Sequence, residues 1–364
     1  MFEIILLVSV IVYTIQVVVF IIGANKKFDK LNNIDLPTAS VIVAARNEEK
    51  NILECIISLD KLEYPDGKLE IIIVDDNSTD NTGIIIKEFI KDKNRFRYLK
   101  TSENIGSLRG KTNAISYGIN NSIGEIILTT DADCIVKPTW AKSIASYYTE
   151  DVGIVCGYTT QKDENSFQGM QAADFIYLLT VAAGGMNLGK PLSAIGNNMS
   201  YRRSAYYEVG GYSGIPFSVT EDFKLLMSIY SLKKYKLIYP LEKETLVVSN
   251  PCEDIKSLFW QKKRWGVGGL DSDFVGYAVM ASGFISHLFF FLAPFLGSVN
   301  VLVMLIYKIT LDYTFIKPVY NKLTIKLKFI HFITFQIYFI IYVLLLPVFL
   351  LFGKKVVWKG RTYQ

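Results

Sequence analysis

The stretch Glu125–Ile135, EIILTTDADCI, decides how the rest of the chain is read. Its first half is an apolar, β-branched run of the kind that forms a buried strand. Its second half sets two carboxylates, Asp131 and Asp133, one residue apart. On a continuing strand, side chains alternate, so both would face the same side with Ala132 between them. Such a pair repels unless a cation sits with it. With 34 acidic residues the chain repeats Asp-x-Asp at Asp271 and Asp273, in GLDSDFV. No apolar strand precedes that second pair, which reads as a solvated turn or an interfacial segment.

Outward from this strand, β-rich runs alternate with helical patterns. ASVIVAA (Ala39–Ala45) leads into a helical stripe of Ile52, Leu53, Ile56, Ile57 and Leu59. LEIIIVDD (Leu69–Asp76) leads into NSTDNTGIIIKEFIK, whose Ser, Thr, Asp and Asn cluster is N-cap material. RFRYLK (Arg95–Lys100) precedes the helix-like GSLRGKTNAISYGINNS, and the opening stretch follows. The alternation predicts an α/β fold, a mostly parallel sheet with helices on both faces. Ligands collect at the carboxyl ends of such strands. Here those ends carry Arg46-Asn47-Glu48, Asp75-Asp76 and Asp131-Ala132-Asp133.

The 51% hydrophobic content is high for a purely soluble chain, and the excess sits at the two ends. From Ile4 to Gly23 no charge appears over a length that spans a bilayer. Glu3 without a preceding Lys or Arg argues for an uncleaved anchor over a signal peptide. Lys26, Lys27 and Lys30 follow at once, so the positive-inside bias puts the next segment in the cytoplasm. Apolar zones recur at Phe274–Tyr307, as one helix or two broken near Gly297-Ser298, and at Phe329–Phe352. The expected division is an anchor over 1–24, a cytoplasmic domain over 25–272, two or three transmembrane helices over 273–352, and a basic tail over 353–364.

The four cysteines show no C-x-x-C spacing and suit a reducing compartment. Both histidines, His287 and His331, lie in the apolar C-terminal zones. Acid–base work in the globular region then falls to carboxylates, and any metal there to oxygen ligands.

A set of segments falls in family order between Ser40 and Trp265: SVIVAARNEEKNI, IIIVDDNSTDNT, LRGKTNAISYGI, ILTTDADC, IGNNMSYRRSAYYEVGGY, TEDFKL and QKKRW. In them the chain resembles the membrane-bound inverting glycosyltransferases of family 2, with the GT-A nucleotide-sugar fold. The resemblance implies a nucleoside diphosphate sugar donor, UDP-linked by family preference, with Ala44, Arg46 and Glu48 lining the nucleoside pocket. It gives Asp76, with Asp75 beside it, the base or ribose, and Lys111 the pyrophosphate or donor sugar. It gives Asp131 and Asp133 the nucleotide and a divalent cation, Mg or Mn. Asp222 would be the general base, with Glu221 beside it. Gln261, Arg264 and Trp265 would serve the diphosphate and the acceptor.

Blander readings stand beside several of these assignments. Thr220 with the acidic first turn after it suits an N-cap. FWQKKRWG suits an interfacial anchor. Gly196-Asn197 suits a β-turn as well as close approach of an acceptor. FQGMQAADFIYLLTVAAGGMNLG reads as an interfacial helix guiding a lipid or as a buried core helix. The closing WKGRTY is similar to the ends of lipid-acting glucosyltransferases, whereas the Q-x-x-R-W signature is shared with processive polysaccharide synthases. A lipid or glycan acceptor and the bilayer are the expected partners, and nucleic acid is not. A nucleotide-sugar-binding protein without turnover is the alternative, and a structural or transport protein draws support only from the intramembrane charges Lys308 and Asp312.

Overall fold

The computed structural model of the protein describes residues 2–353, 355–358 and 361–363. Helix α1 (Phe2–Ala24) leads to β1 (Ala39–Ala45), α2 (Ile52–Asp60), β2 (Leu69–Asp75), α3 (Thr82–Ile90) and β3 (Phe96–Lys100). Next come α4 (Gly110–Asn120), β4 (Ile126–Asp131), β5 (Ile135–Val136), α5 (Trp140–Ala145), β6 (Val152–Cys156) and β7 (Thr159–Gln161). The long α6 (Ser166–Asn187) precedes β8 (Met199–Arg202), α7 (Arg203–Glu208), α8 (Gly211–Gly214), α9 (Glu221–Ser231), β9 (Lys236–Ile238) and β10 (Val247–Ser249). The chain ends with α10 (Ile255–Gly269), α11 (Phe274–Leu292), α12 (Val299–Lys322), α13 (Phe329–Leu351), β11 (Val356–Trp358) and β12 (Arg361–Tyr363).

These elements form two compact units, one of Lys27–Thr160 with Ala194–Asn250, the other of Met1–Lys26, Gln161–Ser193 and Pro251–Gln364. The globular region expected as one block over 25–272 is therefore interrupted. Residues 161–193 and 251–272 cluster with the apolar helices instead.

The first unit is built on a seven-stranded sheet in the order β3-β2-β1-β4-β8-β6-β9. Strands β1 to β4 are parallel, while β8 runs antiparallel to both β4 and β6. The sheet is mixed because β8 is reached only after the excursion through 161–193, free of the strand–helix–strand crossover that makes neighbours parallel. Val41, Ile42 and Val43 of β1 are wholly buried, as a continuous apolar run on a strand covered on both faces should be. In α2, Ile52, Ile56 and Leu59 join the core with Val41, Val43, Ile71 and Ile73. Leu53 and Ile57 of the expected stripe stay exposed, since only part of a surface helix faces its sheet.

The second unit is helical. Phe2–Ala24, Phe274–Phe295, Val299–Lys322 and Phe329–Leu351 are long and apolar enough to cross a membrane. The zone from Phe274 divides into two helices at Gly297, whose φ of +59° reverses the chain. Helix α6 packs against α1, α12 and α13 and buries residues on every side, so of its two readings it is the buried core helix. Its Tyr177 hydroxyl lies 2.6 Å from that of Tyr13, which donates to Asp312 at 2.5 Å. Lys308 pairs with Asp312 at 2.7 Å and donates to Gln336 at 2.9 Å, so the two charges of this apolar helical zone answer each other. Of the WKGRTY ending, Lys359 and Gly360 lie outside the described residues, and the flanking β11 and β12 pair as an antiparallel hairpin.

Candidate active site

Strand register assembles the site. Ala45 pairs with Asp75 across β1 and β2, and Ala44 lies between Val74 and Asp131, its partners on β2 and β4. The carboxyl ends of the central strands are therefore level, and the loops after them share one edge of the sheet. The half-buried Ala44 is a floor between them.

Two of these loops are knitted to each other. Asn47 and Asn77 take left-handed backbone angles, φ 53° and 56°, a conformation that Asn adopts more readily than most residues. The Asn47 side-chain oxygen accepts from the Thr79 amide at 2.9 Å, and Glu48 donates its amide to the Thr82 hydroxyl at 2.8 Å. Asp80 accepts from the Thr82 hydroxyl at 2.6 Å and from its amide at 3.0 Å. These bonds outweigh desolvation and hold the Asp80 carboxyl below its usual range. The buried Glu48 carboxylate accepts from Asn51 at 2.8 Å. Arg46 donates to the Asp76 carbonyl at 2.9 Å and lies 3.7 Å from its carboxylate.

Asp75 and Asp76 part company here. Both oxygens of Asp75 serve the protein, accepting from the Ser78 amide and the Tyr98 hydroxyl at 2.8 Å each. Asp75 thus shapes the turn, and Tyr98 is a supporting residue that sequence reasoning missed.

Around the Asp-x-Asp pair the structure changes the expected geometry. Strand β4 stops at Asp131, and the Cys134 amide donates to the Asp131 carbonyl at 3.1 Å, so Asp133 sits on a turn and not on a continued strand. Ala132 is buried while both aspartates are part-exposed. Beside Asp131 stands a cation, Lys111, from the first turn of α4. Its ammonium lies 2.5 Å from Asp131 and 3.9 Å from Glu221. Burial works against that charge, but the Asp131 and Glu221 carboxylates outweigh it and hold the Lys111 pKa above the ordinary lysine value. Cys55 and Cys134 lie beneath, and burial, reinforced by the Asp133 and Asp131 charges, pushes both thiols up.

Glu221 and Asp222 open α9. Thr220 precedes them without a side-chain cap bond, so the capping reading of this segment lacks its bond. Asp222 is instead held by backbone amides, Gly196 at 2.6 Å and Phe223 at 2.8 Å. A Cβ on Gly196 would come within 3.1 Å of the Asp222 carboxylate, so a side chain here would press on Asp222. Asn197 and Asn198 face inward: Asn197 accepts from Thr159 at 2.9 Å, and Asn198 donates to the Tyr158 and Thr245 carbonyls at 2.7 and 2.9 Å.

Two family models match the chain, glycosyl transferase family 2 over residues 40–210 and glycosyl transferase family group 2 over residues 126–353. The chain is a family 2 glycosyltransferase. This transferase is 31% identical over 240 residues to a beta-monoglucosyldiacylglycerol synthase from Nostoc sp., covering 64% of this chain and 49% of that relative. It is 28% identical over 250 residues to a poly-beta-1,6-N-acetyl-D-glucosamine synthase from Staphylococcus aureus, covering 67% of this chain and 57% of that relative. The chain thus spans about half the length of these curated relatives. A mannosyltransferase from Pyrobaculum calidifontis, solved in complex with GDP-Man and Mn2+, shares the fold with a TM-score of 0.62 at 17% identity, over 93% of this chain and 98% of that one.

The remaining expected residues of the transferase, Gln261, Arg264 and Trp265, stand on α10 in the helical unit. Asp254 starts α10 with a capping box, accepting from the Ser257 amide at 2.7 Å. Gln261 and Arg264 are half-buried. The Trp265 ring is already occupied on the protein side, packed on Phe175 at 5.2 Å with the Lys262 ammonium 4.0 Å from its centroid. Asp273, from the second Asp-x-Asp, caps α11 by accepting from the Gly276 amide at 3.0 Å, a structural use in keeping with its reading as a turn.

Proposed function

We propose that this transferase moves a sugar, with inversion, from a nucleoside diphosphate donor, UDP being the favoured nucleotide, to a hydroxyl of a membrane lipid. The observation that carries the reading is the grouping of Asp131, Lys111 and Glu221 in one ion-pair chain, with Asp222 next to Glu221 and tethered by two amides. In this reading Ala44, Arg46, Glu48 and Asp76 take the nucleoside, while Asp75 holds their loop in shape. Lys111 is anchored by Asp131 until a diphosphate competes for its ammonium. Asp222 accepts the proton of the acceptor hydroxyl as that oxygen attacks the anomeric carbon from the face opposite the diphosphate, and the configuration inverts. The amides of Gly196 and Phe223 keep the carboxylate aimed while it does so.

Asp131 and Asp133 suit a divalent cation, magnesium or manganese. Both are part-exposed carboxylates at the end of a central strand, and hard oxygen donors of this kind suit either ion. When bound, such an ion offsets the charge that grows on the departing diphosphate. On the side of the leaving group and the acceptor the reading adds Gln261, Arg264, Trp265 and Glu221.

A lipid acceptor is favoured by the helices long and apolar enough to span a membrane and by the name of the Nostoc relative. The name of the staphylococcal relative supports a second reading, a processive polysaccharide synthase. One experiment separates them: detergent-purified protein is incubated with UDP-glucose, UDP-N-acetylglucosamine and GDP-mannose in turn, native-membrane lipids and Mn²⁺ or Mg²⁺, and products are read by mass spectrometry. A glycolipid carrying one sugar supports the proposal. A polymer supports the second reading, and no sugar-bearing product from any donor refutes both. The same reading places Lys27–Thr160 in the cytoplasm, because Lys26, Lys27 and Lys30 follow the first apolar helix. Single cysteines at Lys91 or Asn94 should resist an impermeant thiol reagent in intact cells, and their labelling would reverse that orientation.

A further inference from the structure

The helical unit holds a buried ion pair that the reaction as described does not use. Asp174 of α6 is wholly buried and bonded through Oδ2 to the ammonium of Lys262 on α10, itself almost wholly buried. Among the described residues the other Asp174 oxygen has no hydrogen-bond partner, and the ion pair made to this carboxylate is the one with Lys262. The Lys262 ammonium also lies over the rings of Trp265, at 4.0 Å, and Tyr342, at 5.2 Å. Burial raises the Asp174 pKa and lowers that of Lys262, their attraction offsetting part of each shift.

Helix α6 offers α10 a continuous face. Gln171 accepts from the Cys252 amide at 2.9 Å and donates to its carbonyl at 3.1 Å, just ahead of α10. Asp174 then takes Lys262, and Phe175 takes Trp265. Residues 171, 174 and 175 follow the i, i+3, i+4 spacing of one helical stripe. On α10 the partners Lys262 and Trp265 also lie three apart and share a stripe. Gln261 and Arg264 form the adjacent stripe, about 100° away around the axis.

We propose that Asp174 and Lys262 are positioning residues whose buried pair fixes the rotation of α10 about its own axis and so sets where Gln261 and Arg264 stand. A rolled helix would leave a carboxylate and an ammonium buried without each other, the arrangement that buried ion pairs penalise most. Phe175 on Trp265 and Phe349 on Phe259 also pack this helix, but apolar contacts carry no penalty comparable to separating two buried charges. The proposal rests on the reading that gives Arg264 the diphosphate, and its test separates the two.

The test compares UDP with UMP binding to the full-length protein in detergent with Mn²⁺, by calorimetry, using GDP and GMP if uracil nucleotides do not bind. The ratio of the two affinities reports contact with the second phosphate. Arg264→Ala should lower that ratio about tenfold, as loss of a charge-assisted contact does. Asp174→Asn should lower it severalfold with UMP affinity unchanged, and Lys262→Met should do the same if the asparagine variant fails to fold. Combining Asp174→Asn or Lys262→Met with Arg264→Ala should cost no more than Arg264→Ala alone. Equal weakening of UDP and UMP, an unchanged ratio in the pair variants, or losses that multiply with Arg264→Ala would each overturn the positioning role. An Arg264→Ala protein with the wild-type ratio would show that the Arg264 assignment itself is wrong, and the proposal would fall with it.

Discussion

Replacing Asp222 by asparagine changes one atom and tests the mechanism most directly. In the native protein Oδ2 accepts from Gly196 at 2.6 Å and Oδ1 from Phe223 at 2.8 Å. An asparagine has one acceptor oxygen, so one of those amides faces an NH₂ group and loses its partner. That costs roughly 1 kcal/mol of stability, the low end of the usual 1–3, because the side chain is only half-buried. The chemical loss is larger. Removing a general base costs about 10²–10⁴ in rate, or roughly 3–5 kcal/mol of barrier. The two effects separate in the assay, since donor affinity and thermal midpoint read the first while kcat under saturating donor reads both. The expected outcome is a midpoint lowered by a few degrees, a donor Kd within about twofold, and a kcat down at least a hundredfold. Retention of more than a tenth of kcat together with weakened donor binding would refute the assignment. Asp222 would then belong to the binding pocket, and Glu221, bridged to Lys111 at 3.9 Å, would be the next candidate base.

Three further outcomes follow from the same contacts. Excess EDTA should abolish transfer, and Asp131→Ala or Asp133→Ala should abolish metal-dependent nucleotide binding, whereas Asp273→Ala should cost only about 1 kcal/mol of stability as a lost helix cap; full activity in EDTA would remove the metal. Asp75→Ala should destabilise the protein by about 2–3 kcal/mol by orphaning the Ser78 amide and the Tyr98 hydroxyl, as thermal and urea unfolding would show. The depressed Asp80 carboxyl stabilises the fold above its unfolded pKa of about 3.9, and that contribution is lost as pH falls through the lower folded value. Asp80→Ala should therefore lower stability by about 1 kcal/mol at pH 7 and by nothing measurable at the acid end, as urea titrations at a series of pH values would show.

How much of this was legible in the sequence depends on the range over which each feature is decided. Strands β1, β2 and β4 could be read directly, because a strand covered on both faces needs an unbroken apolar run and nothing distant alters that. The carboxylates at their ends could be found for the same reason. What each carboxylate does could not, because the answer lies in partners brought from elsewhere. Asp75 and Asp76 are adjacent and chemically identical, and it is Tyr98 from the neighbouring strand and Ser78 from the turn that give Asp75 its structural work. Asp131 calls for a positive charge, as its place after an apolar strand suggested, yet the cation beside it is Lys111 from a helix twenty residues earlier in the chain. Helix α6 hid its role in the opposite way. Being buried on every side it has no polar face, and a pattern without a face gives no direction from which to infer a neighbour. Lys262 is the sharpest case: inside QKKRW it reads as one more interfacial cation, and only a carboxylate 88 positions away turns it into the buried half of an ion pair. Short-range periodicity therefore locates strands and helices, whereas the meaning of a charged residue is set by long-range pairing that a single sequence does not print.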